Sequence, residues 1–570
     1  MVRSRSISDE VLALLARARA RRAYARFMAD VKSATKRQQR VLMSLLRANA
    51  DSEYGRRHGF ASIRDYQDFV SQVPITTYAD ISDLVERAKA GDVRAMFGRG
   101  QRIRMFAMTS GTVDKPKYVP VTDRFLADTR QGWHAFAGKA LTDHPDAFAR
   151  PLLQVTSPMD EERSTGGYPC GAITGLMAAN QMRLVRKYYA APLPVAHIPD
   201  SLARRYTIMR LAMPQDVSWM VTASPATVLQ LARTGEAHAE SIIRDVLDGT
   251  LSKEMPVPEN VRKALKPCLR ASPDAARRLE RLYRRNGRLR PMDYWNLSFL
   301  ANWTGGTMGL YLREYPEYFG DTPVRDIGLI ATEGRMSIPI ENDTPAGIAT
   351  VSTVFFEFVP VAEHDRADPL TLRTHEVMVG AEYFLLLTNS AGLYRYDISD
   401  CVRVVGFKGQ APLIEFLHKG AHVGSVIGEK ITERQVVLAF EKASGEDPWA
   451  VSDFVLAPRW ADPPFYRLYV DSPSGAPADW VRRLALEVDR HLAELNIEYA
   501  SKRSSGRLGG VEGCVVQAGT LQSLDRERAS RFRSSNEQFK HQYLYTSPGQ
   551  DRVLAGRALQ EAVELAKADE

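Results

Sequence analysis

The sequence predicts an α/β protein, with a large multi-layer N-terminal domain of β-sheets flanked by helices and a small α+β C-terminal domain. The first reason is length, because 570 residues exceed what one ordinary hydrophobic core accommodates. The second is that short runs rich in Val, Ile, Leu and Phe alternate with helical patterns, as they do in layered α/β folds. The third is a change in the sequence pattern after Phe416, where a further set of predicted strands and helices begins.

The N-terminal part begins with helix and continues with alternating strands and helices. Leucines at helical spacing predict a helix over Ser8 to Ala50. Further helices are predicted over Pro225–Leu231, Glu259–Leu265 and Pro273–Tyr283, and the arginines from Arg277 to Arg290 are interpreted as a solvated helix face rather than an anion site. Strands are predicted over Leu152–Thr156, Trp219–Thr222, Ile327–Thr332, Thr353–Val359, Tyr383–Thr388 and Val402–Phe407.

The C-terminal part predicts a smaller unit. The join is placed within Leu417 to Ser425, so the domains are expected at residues 1–420 and 421–570. Trp480, Leu484 and Val488 begin an apolar stripe that predicts one helix continuing to Leu495. The other expected elements are helices over Thr432–Ala443 and Val553–Ala566 and strands over Val451–Ala457, Phe465–Val470 and Val511–Gln517.

Composition narrows the class of protein. Hydrophobic residues make up 44% and charged residues 25% of the chain, which is ordinary for a soluble globular protein. The net charge of +8 is spread over a large surface, so neither nucleic-acid nor membrane binding is expected. The 4 cysteines are far apart and include no Cys-x-x-Cys pair, which favours a reducing, cytoplasmic location over a disulfide framework or zinc site. The sequence makes no prediction of oligomeric state.

The most informative motif is a glycine and hydroxyl loop. Ser110, Gly111 and Thr112 are followed by Lys117, at the start of a strand-like stretch. Closely spaced backbone N–H groups, hydroxyls and one ammonium suit a polyphosphate. The spacing is not that of the Walker loop.

Two later motifs give this loop a context. A Thr332-Glu333-Gly334 corner follows the Ile327 strand, and Tyr394-Arg395-Tyr396 precedes Asp400. In this order and at these wide spacings, the three segments resemble the adenylate-forming superfamily. Five further sequence segments are similar to those of the Gretchen Hagen family of acyl acid amido synthetases: Phe355–Pro360, Leu387–Tyr396, Ala411–Phe416, Gly428–Glu433 and Gln538–Lys540.

The resemblance implies ATP and Mg²⁺ as cofactors. Ser110, Gly111, Thr112 and Lys117 would cradle the β and γ phosphates. Glu333 would be the Mg²⁺ ligand, since this ion prefers hard oxygen donors.

The same resemblance places the rest of the nucleotide. Thr332 would reach the α-phosphate, and Asp400 would hold the ribose, with Asp397 as a rival. Gly305 and Gly306 would let the backbone approach the adenine, which Ile330 and Ala331 would flank.

The small domain is implied to be mobile and to carry two lysines, Lys540 and Lys430. Lys540 is favoured for stabilising the α-phosphate during adenylation, and Lys430 for a phosphate contact, although the two roles are open to exchange. Thr174, Met177 and Tyr188 are weaker candidates for the acid pocket. His418 and His422 are interpreted as a loop pair, not a metal site.

The implied activity is that of an acyl acid amido synthetase, which adenylates a carboxylic acid and passes the acyl group to an amino acid amine. Transfer to coenzyme A or a carrier thiol is an alternative. A retired nucleotide-binding interaction protein is another, because Asp114, Ser399 and His541 depart from the usual motifs.

Overall fold

The computed structural model describes most of the chain. The described residues are 7–109, 116–147, 150–181, 186–420, 423–427, 429–445, 449, 453–471, 479–531 and 541–558. Two compact units emerge from the internal contacts, Met1–Phe416 and Leu417–Glu570. Within the described ranges, every helix is too short or too polar to cross a lipid bilayer.

The helices of the first unit are α1 Ile7–Lys32, α2 Ala34–Asn49, α3 Glu53–Arg57, α4 Tyr66–Gln72, α5 Tyr78–Lys89, α6 Asp123–Asp143, α7 Ile173–Ala179, α8 Ser201–Ala212, α9 Pro225–Ala237, α10 Ala239–Asp248, α11 Glu259–Leu265, α12 Pro273–Asn286, α13 Pro291–Tyr294, α14 Gly309–Leu312 and α15 Tyr315–Phe319. The single helix predicted over Ser8 to Ala50 is therefore two helices. The break lies at Ser33, whose ψ of 40° leaves the helical range.

The strands of the first unit are β1 Ile103–Thr109, β2 Lys117–Thr122, β3 Leu152–Gln154, β4 Glu162–Arg163, β5 Pro169–Gly171, β6 Trp219–Val221, β7 Phe299–Ala301, β8 Val324–Arg325, β9 Ile330–Ala331, β10 Gly334–Arg335, β11 Ser337–Pro339, β12 Gly347–Ala349, β13 Phe355–Pro360, β14 Glu382–Thr388, β15 Tyr396–Lys408 and β16 Ala411–Lys419.

These strands form three main sheets. The order β3-β6-β7-β8 is parallel throughout, with Leu152 opposite Trp219 and Trp219 opposite Phe299. The order β2-β1-β5-β4 is mixed. The largest sheet has the order β11-β12-β16-β15-β14-β13, and its β13, β14 and β15 pair antiparallel. Parallel strands joined through helices confirm the predicted α/β class.

Two hydrophobic cores support these sheets. One contains Phe106 of β1 and Leu387 of β14 and extends under the largest sheet. The other packs helices α8 to α12 against the parallel sheet, with Tyr206 and Leu300 fully buried. The separate cores explain how one chain of this length remains well packed.

The second unit is a small α+β arrangement. Its helices are α16 Glu433–Ser444, α17 Trp480–Leu495, α18 Ile497–Ser504, α19 Thr520–Arg531 and α20 Arg552–Ala555, and its further strands are β17 Val423–Gly424, β18 Ile431–Thr432, β19 Phe454–Arg459, β20 Phe465–Asp471 and β21 Glu512–Val516. Strands β19 and β20 are antiparallel, and β21 joins β20 in parallel.

Two element predictions need correction. The strand expected over Ile327 to Thr332 is only the two-residue β9, because Gly328 has a φ of 90° and leaves the extended conformation. A Cβ at Gly328 would lie 2.3 Å from the Ser337 carbonyl oxygen, so the chain turns tightly there. The last helix is described only as α20, and the rest of the predicted Val553–Ala566 helix beyond residue 558 lies outside the described residues.

Candidate active site

The phosphate-loop prediction falls at the junction of β1 and β2. These strands pair antiparallel, with Thr109 opposite Lys117. The loop residues Ser110, Gly111 and Thr112 lie outside the described residues. Lys117 begins β2, and its Nζ lies 5.6 Å from the centroid of the Tyr78 ring. The Tyr78 hydroxyl accepts a hydrogen bond of 3.0 Å from the Tyr118 backbone N–H, so Tyr78 is tied to the same strand.

Glu333 lies at the tip of a short hairpin. Ala331 of β9 is opposite Gly334 of β10, which leaves Thr332 and Glu333 as the two-residue turn. Glu333 is only 8% exposed, and its backbone oxygen accepts a hydrogen bond of 2.8 Å from the Asn389 side chain. The turn therefore places Glu333 at a buried position, and Asn389 fixes its backbone.

Asp400 occupies a buried position on β15. An irregularity in the pairing of β15 just before Asp400 contains Ser399 in the left-handed region, with a φ of 57°. Asp397 stabilises this irregularity, because its Oδ1 accepts from the Ser399 N–H at 2.6 Å and its Oδ2 lies 2.8 Å from His364 Nε2. The hydrogen bond to Asp397 raises the pKa of His364. Asp397 is thus engaged in local structure, and the role of Asp400 as the ribose ligand stays a prediction.

Tyr396 begins β15 next to the chain that leads into α5. It forms a parallel bridge with Thr76, and the Asp397 N–H donates to the Thr76 oxygen at 2.8 Å. Burial raises the pKa of the Tyr396 phenol, and the charge of Glu333 raises it further. The start of α5, with Tyr78 and the nearby Lys117, therefore lies alongside the strand that carries Asp400.

The predicted adenine segment is held by a buried carboxylate. Asp326 Oδ2 accepts from the backbone N–H and the hydroxyl of Thr304 at 2.6 and 2.8 Å, and its Oδ1 accepts from the Gly328 N–H at 2.6 Å. Burial raises the pKa of Asp326 to about 6 despite these bonds. The segment that includes Gly305 and Gly306 is thereby fixed beside the chain that leads to the Glu333 hairpin.

Comparison with known proteins agrees with this geometry. Residues 23–324 match the GH3 family N-terminal domain, residues 347–419 the GH3 family central domain, and residues 434–549 the GH3 family C-terminal domain. The chain belongs to the GH3 family. This membership confirms the family predicted from the sequence.

Individual relatives are similar along most of their length. The chain is 26% identical over 520 residues to the jasmonoyl–L-amino acid synthetase JAR6 of Nicotiana attenuata, covering 86% of this chain and 88% of that protein. It is 24% identical over 534 residues to the indole-3-acetic acid-amido synthetase GH3.10 of Arabidopsis thaliana, covering 86% and 89%. These names agree with the predicted class of amide-forming ligase.

Solved structures confirm the fold. The complex of the AtGH3.15 acyl acid amido synthetase with 2,4-DB has a TM-score of 0.82 at 19% identity, over 95% of this chain and 96% of that one. A 2-hydroxyisobutyryl-CoA ligase in the postadenylation state has a TM-score of 0.55 at 14% identity, over 92% and 91%. Both likenesses concern the fold.

The predicted acid-pocket residues of this GH3 protein have mainly local contacts. Thr174 Oγ1, on α7, accepts from the Ser157 N–H at 3.4 Å, and Met177 packs against the first core. The Tyr188 ring lies 5.1 Å from Lys187 Nζ. In the part of the chain that the structure describes, nothing joins Thr174 or Tyr188 to Glu333 or Asp400. Their role stays a prediction.

Two predicted lysines fall in the second unit. Lys430 is exposed, has a φ of 44°, and its backbone oxygen accepts a hydrogen bond from Asn496. Lys540 lies outside the described residues. The next residue, His541, is tightly bound, with Nδ1 at 2.6 Å from Asp525 and Nε2 at 2.8 Å from the Phe454 oxygen.

Sequence reasoning missed the residues that position the others. Tyr78 and Asn389 carry no motif that distinguishes them from ordinary polar residues. Asp326 precedes the Thr-Glu-Gly corner by only a few positions, so its place in the sequence was the one available signal. Arg395 and Glu357 lie in two of the segments that resemble the family, but the sequence did not predict that they form a buried ion pair.

Proposed function

We propose that this GH3 protein is an ATP-dependent acyl acid amido synthetase. It adenylates a carboxylic acid, giving the acyl-adenylate and pyrophosphate, and then transfers the acyl group to an amino acid amine with release of AMP. The observation that carries the proposal is the backbone pairing of β15, which contains Asp400, with Thr76 at the start of α5, next to Tyr78 and Lys117. Asn389, which follows β14, also holds the Glu333 backbone. The named activities of the relatives support it.

The chemistry requires activation because oxide is a very poor leaving group. A carboxylate oxygen attacks the α-phosphorus of ATP, the bond to the β-phosphate oxygen breaks, and pyrophosphate leaves. An amine then attacks the acyl carbon, loses a proton, and AMP leaves. Both steps need a site that stabilises developing charge and excludes water.

The donor set of the first unit fits ATP and Mg²⁺. Lys117 offers a cation for the β and γ phosphates, together with Ser110, Gly111 and Thr112. The buried carboxyl of Glu333 offers the hard oxygen that Mg²⁺ prefers, and this ion would neutralise phosphate charge when bound.

The remaining nucleotide contacts follow from the same placement. Thr332, beside Glu333 in the hairpin turn, would contact the α-phosphate. Asp400 would accept hydrogen bonds from the ribose hydroxyls. The adenine would lie against Gly305 and Gly306, with Ala331 at its edge.

The two domains are proposed to divide the work. Residues 1–420 would bind ATP and the acid, with Thr174, Met177 and Tyr188 toward the acid. Residues 421–570 would act as a mobile lid that carries Lys430 and Lys540, as lids commonly complete such sites. A cytoplasmic location fits the state of the cysteines, since Cys170, Cys268, Cys401 and Cys514 are all free thiols.

Product analysis tests this function. The full-length protein is incubated with Mg-ATP, a panel of aryl and alkyl acids and mixed amino acids, and products are resolved by mass spectrometry. AMP, pyrophosphate and an acid-dependent amide are expected. ADP would contradict adenylation. A thioester formed with coenzyme A in place of an amide would contradict the proposal that the acceptor is an amino acid amine. ATP binding without turnover of any acid would favour a protein that has lost its catalytic activity.

Matched variants test the site. Asp400→Asn is expected to lower adenylation about 10- to 100-fold, because a ribose contact from a charged acceptor is lost. Asp368→Asn, which changes an exposed carboxylate, is the control and should have no effect. Equal activity of the two variants would exclude Asp400 from the site.

Lys540→Ala separates the two half-reactions. Adenylation should fall about 100- to 1,000-fold, the usual effect of removing one donor to a developing charge. Consumption of a synthetic acyl-adenylate should persist. If Lys540→Ala adenylates normally and Lys430→Ala does not, the adenylation role belongs to Lys430 instead of Lys540.

A further inference from the structure

The guanidinium of Arg335 is buried with few partners. Arg335 is 5% exposed, and its Nη2 donates a hydrogen bond of 2.6 Å to the Ile327 oxygen. Its Nε and Nη1 have no hydrogen-bond partner. Arginine carries five N–H donors and keeps its charge under ordinary conditions. A buried cation with most of its donors unused requires a physical reason.

The side chain is enclosed by one face of α6. The guanidinium carbon lies 4.5 Å from the centroid of the Trp133 ring and 5.4 Å from that of Phe136. A Cβ at Gly132 would lie 2.5 Å from Arg335 Cδ, so the helix leaves space at this position for the arginine. Arg335, Gly132, Trp133 and Phe136 together are called the Arg335 niche here.

No protein carboxylate pairs with this guanidinium among the residues that the structure describes. The charge of Asp326 favours the protonated form of Arg335, but burial dominates and lowers its pKa to about 9. The Asp326 oxygens already accept hydrogen bonds from Thr304 and Gly328. The two rings provide cation–π attraction, which does not occupy the N–H donors.

The niche borders the segments proposed to bind the nucleotide. Arg335 is two residues after Glu333 on the same hairpin, and α6 directly follows β2, which begins at Lys117. During adenylation the acid must lie against the α-phosphate, near Thr332 and Glu333. The carbon skeleton of the acid is therefore expected beside this hairpin and this helix.

We propose that Arg335 binds an anionic group of the acyl acid other than the carboxylate that reacts. The preferred substrate would then be an acid with a second carboxylate. This inference rests on the proposed function and adds its substrate class. The unpartnered Nε and Nη1 provide charge-assisted donors for the second carboxylate. The partly buried Trp133 provides apolar surface for the skeleton that joins the two acid groups.

The choice of the second carboxylate follows from the course of the reaction. The reacting carboxylate becomes a mixed anhydride with AMP and then an amide, and in both forms the negative charge of that carboxylate is lost. A guanidinium paired with that group would lose its anion at the first step. A second carboxylate keeps its charge throughout, so Arg335 stays paired during both half-reactions.

Matched acid pairs test the proposal on the full-length protein. ATP–pyrophosphate exchange is measured with hexanoate against adipate and with benzoate against terephthalate. The wild-type protein should prefer the diacid of at least one pair. Arg335→Met should lower kcat/KM for that diacid about 10- to 100-fold and leave the monoacid unchanged or improved, because only the charged hydrogen bond is removed. Arg99→Met, at a side chain 90% exposed, is the control.

Different failures lead to different conclusions. Equal loss for diacid and monoacid in Arg335→Met would place the reacting carboxylate at Arg335 and overturn the inference. A wild-type preference for monoacids that Arg335→Met does not alter would also overturn it. If no acid supports exchange, the proposed function fails, and the niche is tested by thermal shift: adipate or terephthalate should raise the Tm of the wild type but not of Arg335→Met, and equal shifts would overturn the inference.

Discussion

Two buried arginines of the first unit are surrounded very differently. Arg395 Nε lies 3.0 and 3.2 Å from the two Glu357 carboxylate oxygens, and its Nη1 donates to the Val73 oxygen at 3.0 Å. Arg335, which is equally buried, makes one hydrogen bond. The fold therefore supplies Arg395 with a carboxylate partner, whereas no described carboxylate pairs with Arg335.

The surroundings of Arg395 explain a structural role. Its hydrogen bonds connect the end of α4 with β13, and its own φ of 44° turns the chain into β15. Burial raises the pKa of Glu357, and the charge of Arg395 opposes that rise. The pair therefore positions the strand that carries Asp400. In the Arg335 niche the same residue type instead leaves its Nε and Nη1 without a hydrogen-bond partner, against one face of α6.

Arg395→Met should show the largest effect on stability. Removing one partner of a buried pair leaves Glu357 uncompensated, and about 3–5 kcal/mol of unfolding free energy should be lost. Urea unfolding measures this, with Arg335→Met as the matched variant at an equally buried arginine. Arg335→Met should lose less, because no described carboxylate is hydrogen-bonded to Arg335 and Asp326 keeps its hydrogen bonds from Thr304 and Gly328. Equal losses would contradict the distinction between the two arginines.

His541 extends the comparison to a paired cation of the second unit. Burial alone would lower its pKa, but the hydrogen bond to Asp525 and the charges of Asp525 and Asp453 raise it to about 9. Its stabilising contribution is therefore complete below pH 6.5 and is lost as the pH rises through about 9, by up to about 3 kcal/mol. Hydrogen-exchange protection of β19, corrected for intrinsic rates, should fall between pH 7 and 10 more in the wild type than in His541→Gln. Parallel pH profiles would contradict the pairing.

Asp326 tests the same direction of pH dependence at lower pH, for a group that is neutral rather than charged when it is protonated. Its pKa is raised to about 6, so its neutral form stabilises the fold below pH 3.8, and that contribution is lost as the pH rises through about 6. The wild type should lose about 2 to 3 kcal/mol between pH 4 and 7 relative to Asp326→Asn. Protection of the Thr304 and Gly328 amides is the measurement. An unchanged pH dependence in Asp326→Asn would show that its carboxyl is not buried as described.

Gly132→Ala should give the smallest effect, about 1–2 kcal/mol, because the added methyl forces Arg335 to move. The double variant Gly132→Ala with Arg335→Ala isolates this cause. Its loss should be smaller than the sum of the single losses, since the clashing side chain is gone. Thermal unfolding of the four proteins measures the coupling, and strict additivity would contradict the contact.

Local patterns predicted much of the fold. The helices Glu259–Leu265 and Trp480–Leu495 have the predicted bounds, because their apolar stripes are local signals. Helices Pro225–Ala237 and Pro273–Asn286 begin at the predicted prolines but extend further. The first gains buried residues of the second core such as Ala232, whereas Arg284 and Arg285 at the end of the other are exposed. The prediction of a strand over Ile327–Thr332 was wrong, because the sequence does not show the close backbone approach between Gly328 and Ser337.

The sequence by itself determined the fold class, the family and the candidate nucleotide residues, because these depend on periodicity and on motifs that are contiguous in the chain. Only the tertiary structure decided that Asp397 accepts a hydrogen bond from the Ser399 N–H, that Tyr396 pairs with Thr76 ahead of α5, and that Arg335 meets α6. The surroundings of a buried charge depend on residues far apart in the chain: Arg335 lies against Gly132, about 200 positions earlier. Pairing across such separations is a property of packing, which no local pattern encodes.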